Sequence, residues 1–188
     1  NFFFQRTFPE ATFDSKAYKS ALEEAQNVVQ SRNLSQLSSV KWKAQGPGNI
    51  GGRVNCIAVH PKNNQIVYLG YSAGGIFKTT DGGKNWQPIF DEFAFLSIGD
   101  LRIDPNNPDI IYAGTGDPNI SSNPFVGNGL YKSVDGGSSW KSMGLTNVGI
   151  ISKIEINPLN SKIIYVGAMG SPFTRDNNRG LYKSADGG

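Results

Sequence analysis

Apolar residues follow two different periods along the chain. Over residues 14–31 they recur every three to four positions and form one stripe: Tyr18, Ala21, Leu22, Ala25, Val28 and Val29. This spacing predicts one amphipathic helix, with Asp14 or Ser15 as its N-cap. From residue 41 onward the apolar residues alternate with polar ones in short runs, which predicts β-strands. Because a lone amphipathic helix needs an apolar partner, we expect it to pack on the body that these strands form.

The alternating runs recur three times in the same order, with a period of about fifty residues. The first run of each repeat ends at a proline, the second reads Tyr-x-Gly near its end, and the third begins with glycine and contains an aromatic-Lys pair. These runs are 57–61, 66–70 and 75–83; then 101–105, 110–114 and 129–137; then 154–158, 163–167 and 180–188. A short fourth run follows Trp86 and Trp140. Four short strands per repeat, repeated in tandem, predict the four-stranded antiparallel blades of a β-propeller.

The predicted fold class is therefore all-β, with two parts. Residues 1–40 comprise a Phe-rich arm without any period and the amphipathic helix, and residues 41–188 comprise a propeller arc of about three blades. The last blade is incomplete, since residues 180–188 end inside a turn, and residues 42–47 read as a fourth strand without three before it. Because a ring needs roughly four to eight blades, we expect the chain to be part of a longer one.

One turn motif, Ser/Thr-x-Asp-Gly-Gly-x-x-Trp, joins the third and fourth runs. Its copies contain Thr79, Asp81, Gly82, Gly83 and Trp86; Ser133, Asp135, Gly136, Gly137 and Trp140; and, without the tryptophan, Ser184 and Asp186. The aspartate can accept hydrogen bonds from backbone N–H groups of the turn, and glycine supplies positive φ. The hydroxyl can tie the strand end to the loop, while the Trp ring covers the turn and its N–H finds a carbonyl. These residues are therefore assigned a structural role.

This motif resembles the Asp-box, or BNR repeat, of sialidases, sortilin-type propellers, xyloglucanase-type glycoside hydrolases and photosystem assembly factors. Residues 46–54, Gly-Pro-Gly-Asn-Ile-Gly-Gly-Arg-Val, together with the repeats resemble large secreted propeller proteins of Bacteroidota. Those proteins are described as sortilin-like or glycosyl-hydrolase-like, and many are type 9 secretion substrates. The resemblance covers residues 41–188 and implies a secreted or cell-surface protein. It also implies that the Asp-boxes lie away from the face that binds substrate.

The repeats differ most in the loop between their second and third strands. This loop is short in the first repeat (71–74) and long in the second (115–128) and third (168–179). Together with the connections between blades, these loops form one end of the propeller, here called the loop face; the motif turns form the opposite end, the motif face. Insertions on one face of a repeat array are typical of a binding face. The candidate binding residues on it are Arg53, Asp117, Asn119, Phe125, Phe173, Arg175, Asp176 and Arg179.

A glycosidase would need two carboxylates on this face, one on each side of the scissile bond. Asp117 and Asp176 are the candidate acids. The resemblance to xyloglucanases implies an acid just before the Gly-Gly pair that opens the third strand, but residues 71–75 read Tyr-Ser-Ala-Gly-Gly. A sialidase would need several arginines, of which Arg53 is one candidate. No residue of this chain is therefore assigned a catalytic role, although a glycoside hydrolase stays open.

Three functions remain. The first is a secreted or cell-surface propeller that binds a protein or a glycan, without chemistry in this part of the chain. The second is a sialidase- or xyloglucanase-like glycoside hydrolase whose catalytic residues lie partly beyond residue 188. The third is an assembly or scaffold factor that docks through the N-terminal arm, for instance on an outer-membrane secretion or surface complex. The first is preferred because no catalytic pair is found.

Composition and residue spacing limit the kinds of partner and cofactor that the chain is expected to bind. The 188 residues carry a net charge of +3 without a dense run of Lys or Arg, which argues against nucleic acid. No apolar stretch approaches the ~20 residues of a membrane span. No His, Cys or Asp cluster has metal-ligand spacing, so neither a metal nor a cofactor is expected.

The lone Cys56 lies in an apolar run, where we expect a small buried hydrophobe. His60 stands where Asp104 and Asn157 stand in the other repeats, which predicts a turn-capping role.

Overall fold

The computed structural model describes residues 14–31, 52–119, 125–175 and 177–188. The Phe-rich arm, the strand expected at 42–47, the predicted boundary at residue 40 and the candidate Asp176 lie outside these residues. The chain divides into two compact units, 1–51 and 52–188. Each is described by itself.

The first unit contains helix α1, Ser15–Ser31. Asp14 caps it, since its Oδ1 accepts hydrogen bonds from the backbone N–H groups of Lys16 at 2.8 Å and Ala17 at 3.1 Å. The helix is thus confirmed, and of the two predicted caps the structure has Asp14. The packing of α1 on the strands stays a prediction. In the described part of the chain, no helix combines the length and apolar character needed to cross a membrane.

The second unit consists of three antiparallel sheets, called blades 1 to 3, whose strands pair in chain order. Blade 1 contains β1 (Val54–Val59), β2 (Val67–Tyr71), β3 (Ile76–Thr79) and β4 (Gln87–Pro88); blade 2 contains β5 (Ile98–Ile103), β6 (Ile111–Thr115), β7 (Leu130–Ser133) and β8 (Lys141–Ser142); blade 3 contains β9 (Ile151–Ile156), β10 (Ile164–Ala168) and β11 (Gly180–Ser184). The predicted all-β class, with four-stranded antiparallel blades after one helix, is confirmed. The third sheet has three strands, as expected for the incomplete blade.

Each pair of neighbouring blades encloses one hydrophobic core. Tyr68 and Ile76 of blade 1 share a buried cluster with Ile111 of blade 2, and Tyr112 of blade 2 shares another with Ile164 of blade 3. Because side chains alternate along a strand, Ile111 faces back toward blade 1 while Tyr112 faces forward toward blade 3. Burial between blades, rather than within one sheet, therefore stabilises the arc.

The Asp-Gly-Gly turns (residues 79–86, 133–140 and 184–188) have the predicted hydrogen bonds. Ser133 Oγ donates to Asp135 Oδ1 at 2.8 Å and accepts from the N–H of Gly137 at 2.8 Å. Both glycines of this turn adopt positive φ, 68° at Gly136 and 90° at Gly137, which favours glycine. The N–H of Gly136 donates to the carbonyl of Asp109 at 2.9 Å. The motif turns therefore meet the turns between first and second strands, and both lie on the motif face.

The two tryptophans of the motif use different acceptors. Trp86 Nε1 donates to the carbonyl of Gly83 in its own turn at 3.1 Å, whereas Trp140 Nε1 donates to the carbonyl of Ile89 in the preceding blade at 3.0 Å. The expectation that each indole N–H finds a carbonyl is confirmed. In blade 2 the same contact also joins two blades.

His60, Asp104 and Asn157 cap the turns between first and second strands. Each side chain accepts a hydrogen bond from the backbone N–H two residues later, at 3.1, 2.8 and 2.9 Å. The predicted turn-capping role is confirmed, with the imidazole Nδ1 of His60 as acceptor.

Candidate binding site on the loop face

Four polar side chains meet where the long loop of blade 2 passes the start of blade 1. Arg53 Nη2 donates to Asp117 Oδ2, and Asn55 Nδ2 donates to Asp117 Oδ1 at 3.2 Å. Asn119 Nδ2 donates to Asn55 Oδ1 at 3.0 Å. These residues, Arg53, Asn55, Asp117 and Asn119, are called the loop-face cluster. It joins blade 1 to the second blade's loop.

A β-bulge brings Asn55 into this cluster. The register between β1 and β2 shifts between Val54 and Cys56, so Asn55 has no partner residue on β2. A bulged residue can turn its side chain away from the sheet. The amide of Asn55 also donates to the carbonyl of Ile98 in blade 2 at 2.9 Å, which fixes its direction. Periodicity in the sequence does not reveal a bulge, so Asn55 was missing from the predicted site.

The backbone of the long loop holds Asp117. Gly116, at φ 102°, follows β6 and turns the chain, and its N–H donates to the carbonyl of Ser97 at 2.8 Å. The N–H of Asp117 then donates to the carbonyl of Phe125 at 2.9 Å. The two ends of the loop are thereby joined, although residues 120–124 lie outside the described part.

Asp117 and Arg53 differ in how far their side chains are exposed to solvent. The side chain of Asp117 is 0% exposed, whereas that of Arg53 is 45% exposed. A buried carboxylate costs several kcal/mol unless it is paired and hydrogen-bonded. Asp117 has such partners in the Arg53 guanidinium, the Asn55 amide and the backbone N–H of Asn119 at 3.1 Å. Asp117 thus anchors Arg53, and the guanidinium is the charge that solvent can reach.

Phe125 is joined to this cluster through its backbone carbonyl, which accepts the N–H of Asp117. Its side chain is 37% exposed, and Asn119 is also exposed. The ring, the amide of Asn119 and the guanidinium of Arg53 belong to residues that are joined through Asp117. The structure therefore brings together four of the predicted binding residues: Arg53, Asp117, Asn119 and Phe125.

The candidates in the third blade form a separate group. Arg179 Nη2 donates to the carbonyls of Ser171 at 3.2 Å and Thr174 at 3.4 Å, so this side chain folds over its own loop. The N–H of Phe173 donates to Ser171 Oγ at 3.2 Å, and Arg175 is exposed. These contacts lie within the loop of blade 3.

A second charged group, which sequence reasoning missed, joins blades 2 and 3. Asp100 Oδ2 accepts a hydrogen bond from the N–H of Ile154 at 2.8 Å and lies 3.6 Å from Lys153 Nζ. Arg102 Nη2 donates to Glu155 Oε1 at 3.1 Å, and this hydrogen bond lowers the pKa of Glu155. Asp100 is paired with Gly114 directly after a register shift in β5, and Asn55 lies within the shift in β1.

Cys56 is partly buried and packs against the core that blades 1 and 2 share. Burial raises its pKa to about 12, and the nearby carboxylate of Asp100 adds to the effect. Within the described ranges, no group of three or more His, Cys, Asp or Glu residues could hold a metal ion.

Comparison with known proteins assigns the fold. The chain is 29% identical over 165 residues to a xyloglucanase of Hypocrea jecorina, covering 80% of this chain and 19% of that protein. The GH74 enzyme of Niastella koreensis, a solved structure, matches with a TM-score of 0.58 and 23% identity over 79% of this chain and 24% of that one. The fold is a β-propeller. No protein-family model matches the chain.

A third similarity points to a different kind of protein. The photosystem II assembly lipoprotein Ycf48 of Nostoc sp. is 29% identical over 148 residues, which cover 60% of this propeller chain and 42% of the relative. The chain spans about a fifth of the xyloglucanase's length. The resemblance to sortilin-like and type 9 secreted proteins stays a prediction.

Proposed function

We propose that the loop face of this propeller binds a glycan, without chemistry carried by its described residues. The observation that carries the proposal is the state of Asp117, whose side chain is 0% exposed and whose two oxygens accept from Arg53 and Asn55. In a glycosidase both carboxylates must reach the bond that breaks. Asp117 is instead occupied in holding Arg53.

The exposed groups around Asp117 suit a sugar. A sugar ring offers hydroxyl groups to planar amides and guanidinium groups, and its C–H face packs on an aromatic ring. Asn119, Arg53 and Phe125 supply these three chemistries. Because Arg53 is held by an ion pair, little side-chain entropy is lost when it binds a ligand. A few oriented polar groups beside an aromatic surface are typical of small-ligand sites.

The position of Ser72 also supports binding over hydrolysis. It lies in the stretch 71–75, where the resemblance to xyloglucanases implies an acid. Ser72 is buried, and its N–H donates to the carbonyl of Arg53 at 3.0 Å. A serine at this place, directly beside the loop-face cluster, supplies neither a general acid nor a nucleophilic carboxylate for this chemistry. The similarity to xyloglucanases supports a polysaccharide as the ligand class.

The same proposal includes the location of the protein. Because polysaccharide ligands lie outside the cell, we propose a secreted or cell-surface location, and export by type 9 secretion would agree with it. We also propose that the Asp-Gly-Gly turns are of the Asp-box type. Fractionation of the producing cells, followed by detection of the protein with an antibody, tests the location; protein retained in the cytoplasm contradicts it.

The binding test uses the intact protein and soluble xyloglucan, with mannan as a second polysaccharide, in affinity gel electrophoresis. Phe125→Ala and Asn119→Ala should each weaken retardation about tenfold, which corresponds to a loss of roughly 1.4 kcal/mol. The matched control is Leu159→Ala, because Leu159 is 94% exposed but lies in a turn of the motif face. If Phe125→Ala behaves as Leu159→Ala does, or if neither glycan binds, the proposal is wrong.

A glycoside hydrolase is the second candidate, favoured by the similarity to xyloglucanases. Release of reducing ends from xyloglucan by the intact protein would establish it. A loss of that turnover in Asp117→Asn with an unchanged unfolding midpoint would assign catalysis to this residue and overturn the preferred function. Docking through the N-terminal arm rests on residues outside the described part and stays a prediction.

A further inference from the structure

The side-chain amide of Asn55 can point in only one direction. Its Nδ2 donates to the carbonyl of Ile98 at 2.9 Å and to Asp117 Oδ1 at 3.2 Å. Its Oδ1 accepts from Asn119 Nδ2 at 3.0 Å. An asparagine amide carries two N–H donors on one atom and an acceptor on the other. Because a carbonyl and a carboxylate can only accept, a reversed amide would place its oxygen against two other oxygens.

The fixed amide of Asn55 in turn fixes the amide of Asn119. Asn119 Nδ2 donates to Asn55 Oδ1 at 3.0 Å and to Asp117 Oδ1 at 3.4 Å, so both of its N–H donors are used inside the cluster. Asn119 is exposed, and in the described part of the chain its Oδ1 has no hydrogen-bond partner. A ligand therefore meets an acceptor at Asn119.

Arg53 presents the opposite polarity beside it. A guanidinium group has five N–H donors and no acceptor. One donor of Arg53 is bound to Asp117 Oδ2, and the side chain is 45% exposed. Arg53 and Asn119 are held by the two oxygens of one carboxylate, so they lie side by side. The loop face thus offers a ligand one acceptor next to a set of donors.

Two adjacent hydroxyl groups match this arrangement. A hydroxyl both donates and accepts, so one can donate to Asn119 Oδ1 while its neighbour accepts from Arg53. A carboxylate or an ether oxygen only accepts, and would place an acceptor against Asn119 Oδ1. The positive charge of Arg53 is also balanced by the buried Asp117. An uncharged sugar unit with free hydroxyl groups is therefore favoured over an acidic one.

We propose that Asn119 and Arg53 together bind two adjacent free hydroxyl groups of an uncharged sugar, and that Asn55 is the positioning residue that sets the direction of the Asn119 amide. This inference rests on the proposed function, because it requires a glycan on the loop face. Asn55 acts through Asn119, since both of its N–H donors and its oxygen are already bound within the protein. A carboxylate of an acidic glycan on Arg53 is the competing ligand.

The first experiment compares xyloglucan with O-methylated xyloglucan in affinity gel electrophoresis of the intact protein. A methyl ether keeps the oxygen as an acceptor but removes the hydroxyl donor. Methylation should weaken binding about tenfold in the unsubstituted protein and no more than about twofold in Asn119→Ala, which has no acceptor to satisfy. The matched control is Asn64→Ala, because Asn64 is exposed in a turn of the motif face. It should keep the full effect of methylation.

The outcomes separate this inference from the proposed function. If methylation weakens binding by Asn119→Ala as much as by the unsubstituted protein, or abolishes it in both, the inference is overturned while glycan binding stands. Stronger retardation by polygalacturonate than by xyloglucan would assign Arg53 to a carboxylate and likewise overturn the inference alone. Absence of retardation by xyloglucan, mannan and polygalacturonate would overturn both.

The second experiment tests Asn55 with Asn55→Ala. Without Asn55 Oδ1, the Asn119 amide can turn and donate to an ether oxygen, so methylation should weaken binding no more than about twofold in this variant. A merely structural role would lower the thermal unfolding midpoint and leave the effect of methylation at its full size, and that result overturns the positioning role. Asn55→Ser, measured in parallel, decides the question if Asn55→Ala does not fold.

Discussion

Hydrogen bonds to the aspartates of the Asp-Gly-Gly turns stabilise the ionised carboxylates. Hydrogen bonds from Asn85, then from Thr79, lower the pKa of Asp81 to about 2. Ser139 and then Ser133 do the same for Asp135, which is also lowered to about 2. An oxygen that accepts several hydrogen bonds favours the charged form, so these turns need the carboxylate ionised.

This pKa shift predicts a loss of stability in acid. The folded pKa of Asp135 lies below its usual value of 3.8, so the contribution is fully present above pH 3.8 and is lost as pH falls through about 2. The unfolding midpoint should therefore fall more steeply across this window in the natural protein than in Asp135→Asn, which cannot titrate. Parallel curves from calorimetry at matched ionic strength would contradict the prediction.

The ion pair between Arg53 and Asp117 leads to a second prediction about single residues. Arg53→Met leaves the buried carboxylate of Asp117 without its counter-ion and should lower the free energy of unfolding by about 3 kcal/mol. Arg53→Met with Asp117→Leu should cost less than Arg53→Met alone, because no unpaired buried charge remains. Urea unfolding of the single and double variants measures both. Additive losses would mean that the ion pair does not couple the two residues.

Among the elements, the strands could be predicted from the sequence and their irregularities could not. Alternation and the three repeats indicate where each strand lies, because period two follows from the pleat itself. The bulge at Asn55 depends on the contact of its amide with Ile98, which is 43 positions away in sequence. The two tryptophans of the motif likewise look equivalent in sequence. Their acceptors differ, since Trp140 reaches the carbonyl of Ile89 in a neighbouring blade.

This difference predicts unequal costs for the same substitution. Trp140→Phe removes the hydrogen bond to Ile89 and disturbs an edge-on contact with Phe90, whose ring centre is 5.4 Å away. Trp86 is 36% exposed and bonds within its own turn. Trp140→Phe should therefore reduce the free energy of unfolding by about 1 kcal/mol more than Trp86→Phe, since it breaks an interface contact as well. Equal losses in urea unfolding would argue against this role.

For the whole molecule, repetition made the fold predictable, while the contacts within the loop-face cluster came only from the structure. The period identified a propeller, and the variable loops indicated the face on which Arg53 and Asp117 lie. The sequence did not indicate that Asp117 is buried, because its partner Arg53 is 64 positions away and a loop acid ordinarily faces water. Because Asp117 is buried and holds Arg53, it is not assigned as a catalytic acid, and the preferred function is binding.

Tyr68 and Lys78 of blade 1 donate to the carbonyl of Gly136 in blade 2, and Tyr112 and Lys132 of blade 2 donate to the carbonyl of Gly187 in the turn after β11. This contact between blades has a direction. A blade offers its donors to its successor and its carbonyl to its predecessor, so the two sides of one sheet are complementary rather than alike. Any blade with both sides intact matches its own duplicate. A gene that doubled one such unit would encode a larger ring whose new interface is already complementary, and blade number can therefore change in a single step while every existing contact is preserved.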